Sequence, residues 1–233
     1  MRKKKVVIVL PAYNAAKTLK KTVDDIPHKG YKIILVDDMS KDNTVRLARK
    51  MGIDVFRHPQ NRGYGANQKT CYTIALSIGA DIVVMIHPDY QYDATKTEEM
   101  VRPIQTGQVD IMLGSRIRTR KEALAGGMPL YKYMSNRFLT MLENIVLGLN
   151  LSEYHTGYRA YSREALEKVP FHKFSDELVF DQQILISAAK LGLTIGEIPV
   201  PVRYSPDSSS INFVRSLKYG IDTVIHLFGS ILF

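Results

Sequence analysis

Apolar runs of strand length alternate with stretches of helical period through the first half of the chain. Lys5 to Leu10 (KVVIVL), Lys32 to Val36 (KIILV), Ile53 to Phe56, Asp81 to Ile86 and Val109 to Leu113 read as five strands. Their apolar character is nearly continuous, not alternating, which marks strands buried on both faces, as in a parallel sheet. Helices are predicted from about Ala15 to Asp25, from the Asp37-Asp38-Met39-Ser40 turn to about Met51, from the Asn61-Arg62-Gly63-Tyr64-Gly65 turn to about Ile78, and near Thr95–Ile104. Asn14 is a candidate cap for the first helix, Ser40 or Asp42 for the second. Strands and helices alternating over short connections predict βαβ units and a mostly parallel sheet.

The second half changes character. Ile117 to Met128 is basic, carries Gly126-Gly127, and reads as a mobile loop. Pro129 to Leu149 has helical periodicity, with Tyr131, Met134, Phe138, Met141, Leu142 and Ile145 on a broad apolar face. His155 to Tyr161 reads as a strand or turn, Arg163–Lys168 and Leu178–Leu191 as helices. Pro199 and Pro201 make Thr194–Tyr204 an edge or irregular strand. A flexible loop at Pro206–Ser210 precedes a final amphipathic helix from Ile211 to Phe233.

The polar residues of chemical interest fall just after strands: Pro11–Asn14, Asp37–Asp38, His87–Gln91 and Ser115–Arg116. In open α/β sheets, ligands bind at the carboxyl ends of the strands. The sharpest boundary is at His87-Pro88-Asp89, where Pro88 supplies no N–H and disfavours helix at His87. Asp89 and Gln91 then offer two oxygen ligands at a strand end. Mg²⁺ is commonly held by one or two carboxylates plus substrate phosphates.

Composition bounds the partners. The chain has 233 residues, 45% hydrophobic and 24% charged, ordinary values for one large domain or a domain with an extension. A lone Cys71 excludes an internal disulfide and a Cys-based metal site, and fits a reducing compartment. The formal net charge of +9 suggests anionic partners. The basic residues are dispersed and form no recognised nucleic-acid module, so nucleic acid is not expected as a partner. The polar start Met1–Lys5 is not expected to act as a signal peptide, and no stretch reaches the roughly 18 apolar residues of a membrane span.

The ordered set Pro11-Ala12-Tyr13-Asn14, Asp37-Asp38-x-Ser40-x-Asp42-x-Thr44, Asn61-x-Gly63-x-Gly65, Asp89-x-Gln91 and Gly114-Ser115-Arg116 closely resembles the family 2 glycosyltransferases. Within them it is similar to the polyprenyl-phosphate sugar transferases of the dolichyl-phosphate mannose synthase type. The resemblance spans about residues 5–204. It implies a GT-A fold, a nucleotide-sugar donor, a divalent metal (Mg²⁺ or Mn²⁺) and inversion at the anomeric carbon. It sets Pro11, Ala12, Tyr13 and Asn14 against the nucleoside, with Asp37 or Asp38 accepting from the base. Gly65, His87 and Pro88 join the donor site, and Asp89 and Gln91 hold the metal. Arg116, Arg159 and Arg203 are candidate phosphate contacts, suited by a planar fork that binds two oxygens.

Two departures matter. The usual Asp-x-Asp appears as His87-Pro88-Asp89, so the first carboxylate is missing, and His87 is a metal ligand, a ribose contact or a strand end. The family's Phe-Asp-x-Glu appears as Phe180-Asp181-Gln182-Gln183. Asp181 is the candidate base if the acceptor is a hydroxyl, whereas a phosphate acceptor is already ionised and needs little base help. Arg116 joins Asp181 as a catalytic candidate, stabilising charge on the leaving diphosphate. Residues 120–128 and 205–210 are candidate lids.

The organisation expected is an α/β GT-A domain over residues 1–210, its Rossmann-like mostly parallel sheet flanked by helices. Residues 211–233 form a C-terminal helix for a membrane interface or a homodimer contact. The leading expectation is a cytoplasmic enzyme, peripheral to an anionic membrane face, moving a hexose from a UDP-glucose or GDP-mannose type donor to polyprenyl phosphate. The alternatives are a transferase to a hydroxyl acceptor in polysaccharide or glycolipid synthesis, a non-catalytic nucleotide-sugar scaffold, and a nucleotidyltransferase. The last is disfavoured because Pro11–Asn14 is not a Gly-rich basic loop.

Overall fold

The computed structural model describes residues 4–27, 29–117, 128–203 and 213–232. Seven strands form one sheet in the order β3-β2-β1-β4-β6-β5-β7. They are β1 Val6–Ala12, β2 Lys32–Asp37, β3 Asp54–Arg57, β4 Ile82–Met85, β5 Ile111–Ser115, β6 Arg159–Ser162 and β7 Ile195–Pro199. β6 alone runs against its neighbours, antiparallel to β4 and β5, while β1 to β4 pair in parallel and β5 pairs in parallel with β7. The carboxyl ends of β1, β2, β4 and β5 therefore share one edge with the amino end of β6. The mostly parallel sheet agrees with the periodicity; the antiparallel insertion of β6 is an addition.

The helices are α1 Leu19–Asp24, α2 Thr44–Lys50, α3 Tyr64–Ser77, α4 Thr97–Gln105, α5 Leu130–Leu147, α6 Arg163–Lys168, α7 Phe180–Lys190 and α8 Phe213–Leu232. The central strands are apolar throughout because both faces are covered. Val7 and Val9 of β1 pack with Cys71, Tyr72 and Phe180 on one side; Ile8 and Leu10 pack with Leu19, Met100 and Ile104 on the other. The stretch 211–233 includes α8, which packs on α5 and α7.

Three expectations need correcting. β1 does not stop at Leu10 but runs through Pro11 to Ala12. A proline in a central strand costs a ladder bond unless its missing N–H has no partner to lose. Here the pairing with β4 has already ended at Val9↔Met85, and the Pro11 carbonyl on that side faces the His87 ring. The first helix starts at Leu19, not Ala15. The backbone N–H groups of Asn14, Ala15 and Ala16 are held by Ser40 Oγ, Thr44 Oγ1 and Asp42 Oδ2. Asn14 does not cap α1; its side chain accepts from Lys41 N at 2.8 Å. The basic loop and both candidate lids fall largely or wholly on residues 118–127 and 204–212, outside the described residues.

Candidate functional site

Three non-glycine residues have left-handed backbone: Asn14 (φ 52°), Met39 (φ 63°) and Tyr90 (φ 61°). Each follows a strand, β1, β2 or β4, at the shared edge. Such conformations cost about 1–3 kcal/mol and persist only where the surroundings enforce them. The loop after β4 is pinned from two sides. Thr18 Oγ1 donates to the Pro88 carbonyl at 2.6 Å, and Thr22 Oγ1 accepts from Tyr90 N at 3.1 Å. From the other side, Arg203 N donates to the Gln91 carbonyl at 2.8 Å, and Tyr92 bridges to Val202. The sharp turn at Tyr90 buries Asp89 and Gln91 on either side of it, with Asp89 Oδ1 accepting from Gln91 N at 3.0 Å.

His87 is half-buried and stacks on Tyr64, with ring centroids 5.3 Å apart. Its Nε2 lies 3.0 Å from the Tyr64 hydroxyl, which donates to Asp181 Oδ2 at 2.7 Å. Burial pushes the His87 ring below its ordinary pKa, against the pull of Asp89 and Asp181. Burial, with Asp181 beside it, pushes the Tyr64 phenol up, so it stays protonated and donates. With Nε2 at the phenol, the donor set for a cation is Asp89 and Gln91. Among the described residues no three His, Cys, Asp or Glu gather as a metal site. Asp89 and Gln91 carry oxygen donors, and such a pair would suit a hard divalent cation whose remaining ligands are phosphate oxygens and water.

The two aspartates after β2 are occupied differently. Asp38 accepts from His58 Nδ1 at 2.7 Å, Arg62 N at 2.8 Å and Gly63 N at 3.0 Å. It organises the 61–65 turn, and both of its oxygens are already engaged. Asp37 Oδ2 accepts from Ser40 N and Arg57 Nε, while Oδ1 is buried with no partner among the described residues. Of the two, Asp37 is the one with acceptor capacity to spare. Tyr13 is half exposed at the end of β1, a ring available for stacking; Asn14 beside it is exposed.

The Cβ position of Gly65 faces the 175–176 turn. The Gly65 N–H donates to the Asp176 carbonyl at 2.7 Å, and a Cβ there would sit 2.5 Å from the Ser175 carbonyl oxygen. Glycine is needed for close packing of α3 on the 175–176 turn. Gly157 plays the same part opposite His87: a Cβ would come within 2.8 Å of the imidazole Cδ2.

The three arginines separate. Arg116 donates from N and Nε to Glu153 at 2.6 and 2.8 Å and from Nη2 to the His155 carbonyl at 2.6 Å. Burial would raise the Glu153 carboxyl, but the Arg116 charge and hydrogen bonds hold it below its ordinary value. Arg159 is fully buried and donates to the Thr156, Tyr154 and Asp181 carbonyls, with Nη2 3.8 Å from Asp181 Oδ2. The expectation that Arg159 contacts phosphate fails on access: it is a strut behind Asp181. Arg203 remains largely accessible, its guanidinium 4.5 Å over the Tyr90 ring beside the Asp89–Gln91 loop.

Sequence reasoning missed Tyr64, His58 and Glu153. Tyr64 had a signal, as an aromatic wedged between Gly63 and Gly65. The pairing of Glu153 with Arg116 had none, because 37 residues separate them.

A mostly parallel seven-stranded sheet with one antiparallel insertion and polar clusters along one edge defines an α/β domain of the GT-A architecture. Residues 7–170 match the glycosyl transferase family 2 model, and the chain belongs to that family. It is 32% identical over 211 residues to an uncharacterised protein of Methanocaldococcus jannaschii, covering 90% of this chain and 86% of that one. It is 29% identical to the UDP-N-acetylglucosamine–dolichyl-phosphate N-acetylglucosaminyltransferase of Methanococcus voltae, covering 88% of each chain. Its fold matches glucosyl-3-phosphoglycerate synthase of Mycobacterium tuberculosis, crystallised with Mn²⁺, UDP and glucosyl-3-phosphoglycerate. The TM-score is 0.74 at 20% identity, over 97% of this chain and 80% of that one. The same synthase has been crystallised with Mg²⁺ and UDP. The protein is a glycosyltransferase.

Proposed function

We propose that this enzyme moves a sugar from a nucleoside-diphosphate sugar to a polyprenyl phosphate of the dolichyl type, working peripherally on the cytoplasmic membrane face. The observation that carries the phosphate acceptor is the state of Asp181. Its Oδ2 is taken by Tyr64 and its Oδ1 is buried. A base must reach the proton it removes, within about 3 Å or through one water. A carboxylate enclosed in this way suits an acceptor that arrives ionised. The activity named for the M. voltae relative agrees with that acceptor and makes UDP-N-acetylglucosamine the first donor to test, with UDP-glucose and GDP-mannose beside it.

On this reading Tyr13 stacks on the base and Asp37 accepts from it. Asp89 and Gln91 hold Mg²⁺ or Mn²⁺, which when bound screens charge on the donor diphosphate. Arg203 lies where it can reach a phosphate; Arg116 and Arg159 hold the walls of the site. The basic net charge suits the anionic cytoplasmic leaflet, and no helix among the described residues is long and apolar enough to cross a membrane.

The test incubates purified enzyme with each nucleotide sugar and dolichyl phosphate, with and without metal. Nucleoside diphosphate release and the mass of the lipid product are read together. A lipid-phosphate-linked sugar is the expected product. Transfer only to a hydroxyl acceptor would overturn the reading, and donor binding without turnover would leave a scaffold.

A further inference from the structure

Helix α5 is built inside out. Its buried positions are Asn136, Thr140 and Glu143, while Leu130, Tyr131, Met134, Phe138, Met141 and Ile145 are exposed. At 100° per residue these fall on opposite sides of the helix. Helix α8, packed against it, shows a related pattern: Thr223 and Leu227 are buried, Tyr219 hydrogen-bonds inward to His155 and Gln182, and Val214, Leu217, Ile221, Ile225 and Phe228 face out. Ile145 is 72% exposed and Val214 73%. A globular helix facing water shows the reverse order. Two adjacent helices whose apolar residues lie mostly on their outer faces belong against an apolar medium, and exposed patches of this kind mark interaction surfaces.

We propose that the outer faces of α5 and α8 together form the surface on which this enzyme lies in a lipid bilayer interface. The charges around the stripes select the lipid. Arg137, Arg215 and Lys218 stand on these two helices outside the buried set, against one carboxylate, Asp222. Basic residues flanking an apolar helix face favour anionic headgroups, with the apolar side chains entering the acyl boundary. A second copy fits less well. A two-fold dimer sets the same patch against itself, which would bring like charges together at the rim. The inference builds on the lipid-phosphate reading of the acceptor but fails separately from it.

The test is flotation of the full chain with phosphatidylcholine vesicles, with and without phosphatidylglycerol. The comparison is a variant carrying Phe138→Gln, Ile145→Gln, Ile221→Gln and Ile225→Gln. Glutamine keeps helix propensity, and thermal melting verifies the fold. Wild type is expected to float with the anionic vesicles, and the variant to bind roughly a hundredfold more weakly or less. Lys218→Glu, which leaves the apolar stripe intact, should weaken binding roughly tenfold on anionic vesicles alone. Turnover of a short, water-soluble isoprenyl phosphate should be the same in all three proteins, and its loss in wild type would sink the acceptor reading without touching the docking one. No flotation of wild type overturns the docking proposal. So does a wild-type dimer, measured by light scattering, that the four substitutions split while vesicle binding is absent.

Discussion

Replacing Tyr64 by Phe removes one oxygen and keeps the ring on His87. That oxygen donates to Asp181 Oδ2 at 2.7 Å and lies 3.0 Å from His87 Nε2. The other carboxylate oxygen has no partner among the described residues, and Arg159 Nη2 stands 3.8 Å from Oδ2, outside hydrogen-bond range. The variant therefore leaves a buried carboxylate with one long ion pair. A hydrogen bond to a charged group contributes about 1.5–3 kcal/mol, so we expect Tyr64→Phe to cost about 2–3 kcal/mol. For a domain of this size the melting temperature should drop by roughly 5–10 °C. Urea unfolding of a double-mutant cycle with Asp181→Asn isolates the bond. On the Asn background the Tyr64→Phe change should cost at least about 1 kcal/mol less than in wild type. Additivity within about 0.5 kcal/mol, the range for independent sites, would refute the direct Tyr64–Asp181 bond.

Asp89→Ala should abolish metal-dependent donor turnover while the melting temperature stays near wild type; retained turnover would remove Asp89 from the metal site. Gly65→Ala would place a methyl 2.5 Å from the Ser175 carbonyl oxygen and should cost about 1–3 kcal/mol by overpacking, read as a lowered urea midpoint. Glu153 predicts an acid limb. Its carboxyl is held below the ordinary value of 4.5, so near that pH the unfolded chain binds the proton more readily. The Glu153 contribution is fully present above about pH 4.5 and is lost as pH falls through the lower folded value. Glu153→Gln should be less stable at neutral pH and lose less on acidification; equal acid slopes in the two proteins would count against the Arg116–Glu153 pair.

The strand cores and the residues at their ends were legible because buried parallel strands write themselves as unbroken apolar runs. Pairing order was not. Nothing in Arg159-Ala160-Tyr161-Ser162 says that it inserts between β4 and β5, since the partners lie far away along the chain. Arg159 itself reads as a phosphate ligand in Thr-Gly-Tyr-Arg. Its burial depends on backbone carbonyls, one of them 22 residues distant at Asp181, and carbonyls carry no sequence signature. The start of α1 failed by tertiary override: Asn14 takes left-handed backbone (φ 52°) and side-chain oxygens of Ser40, Thr44 and Asp42 tie the N–H groups of Asn14, Ala15 and Ala16 to the turn after β2, so the regular helix begins only at Leu19. Helix α5 failed in direction only. Periodicity marks an apolar face, but it does not say whether that face meets the core or the outside.

The inverted polarity of α5 and α8 also explains how an apolar outer surface stays attached to a catalytic body. With the apolar side chains turned outward, polar contacts hold much of the inner face. Glu143 Oε2 of α5 lies 3.1 Å from His155 Nε2 without making a hydrogen bond, His155 Nδ1 lies 2.8 Å from the Tyr219 hydroxyl of α8, and Gln182 Nε2 of α7 reaches His155 Nδ1 and the Tyr219 hydroxyl. This cluster borders the site directly. Gln182 follows Asp181 in sequence, and the His155 carbonyl accepts from Arg116. A buried polar network is costly unless its members are in place together, so the position of the two outer helices and the position of Asp181 and Arg116 are tied. A lipid-bound acceptor approaching along α5 and α8 would meet the site on the side where that tie is made.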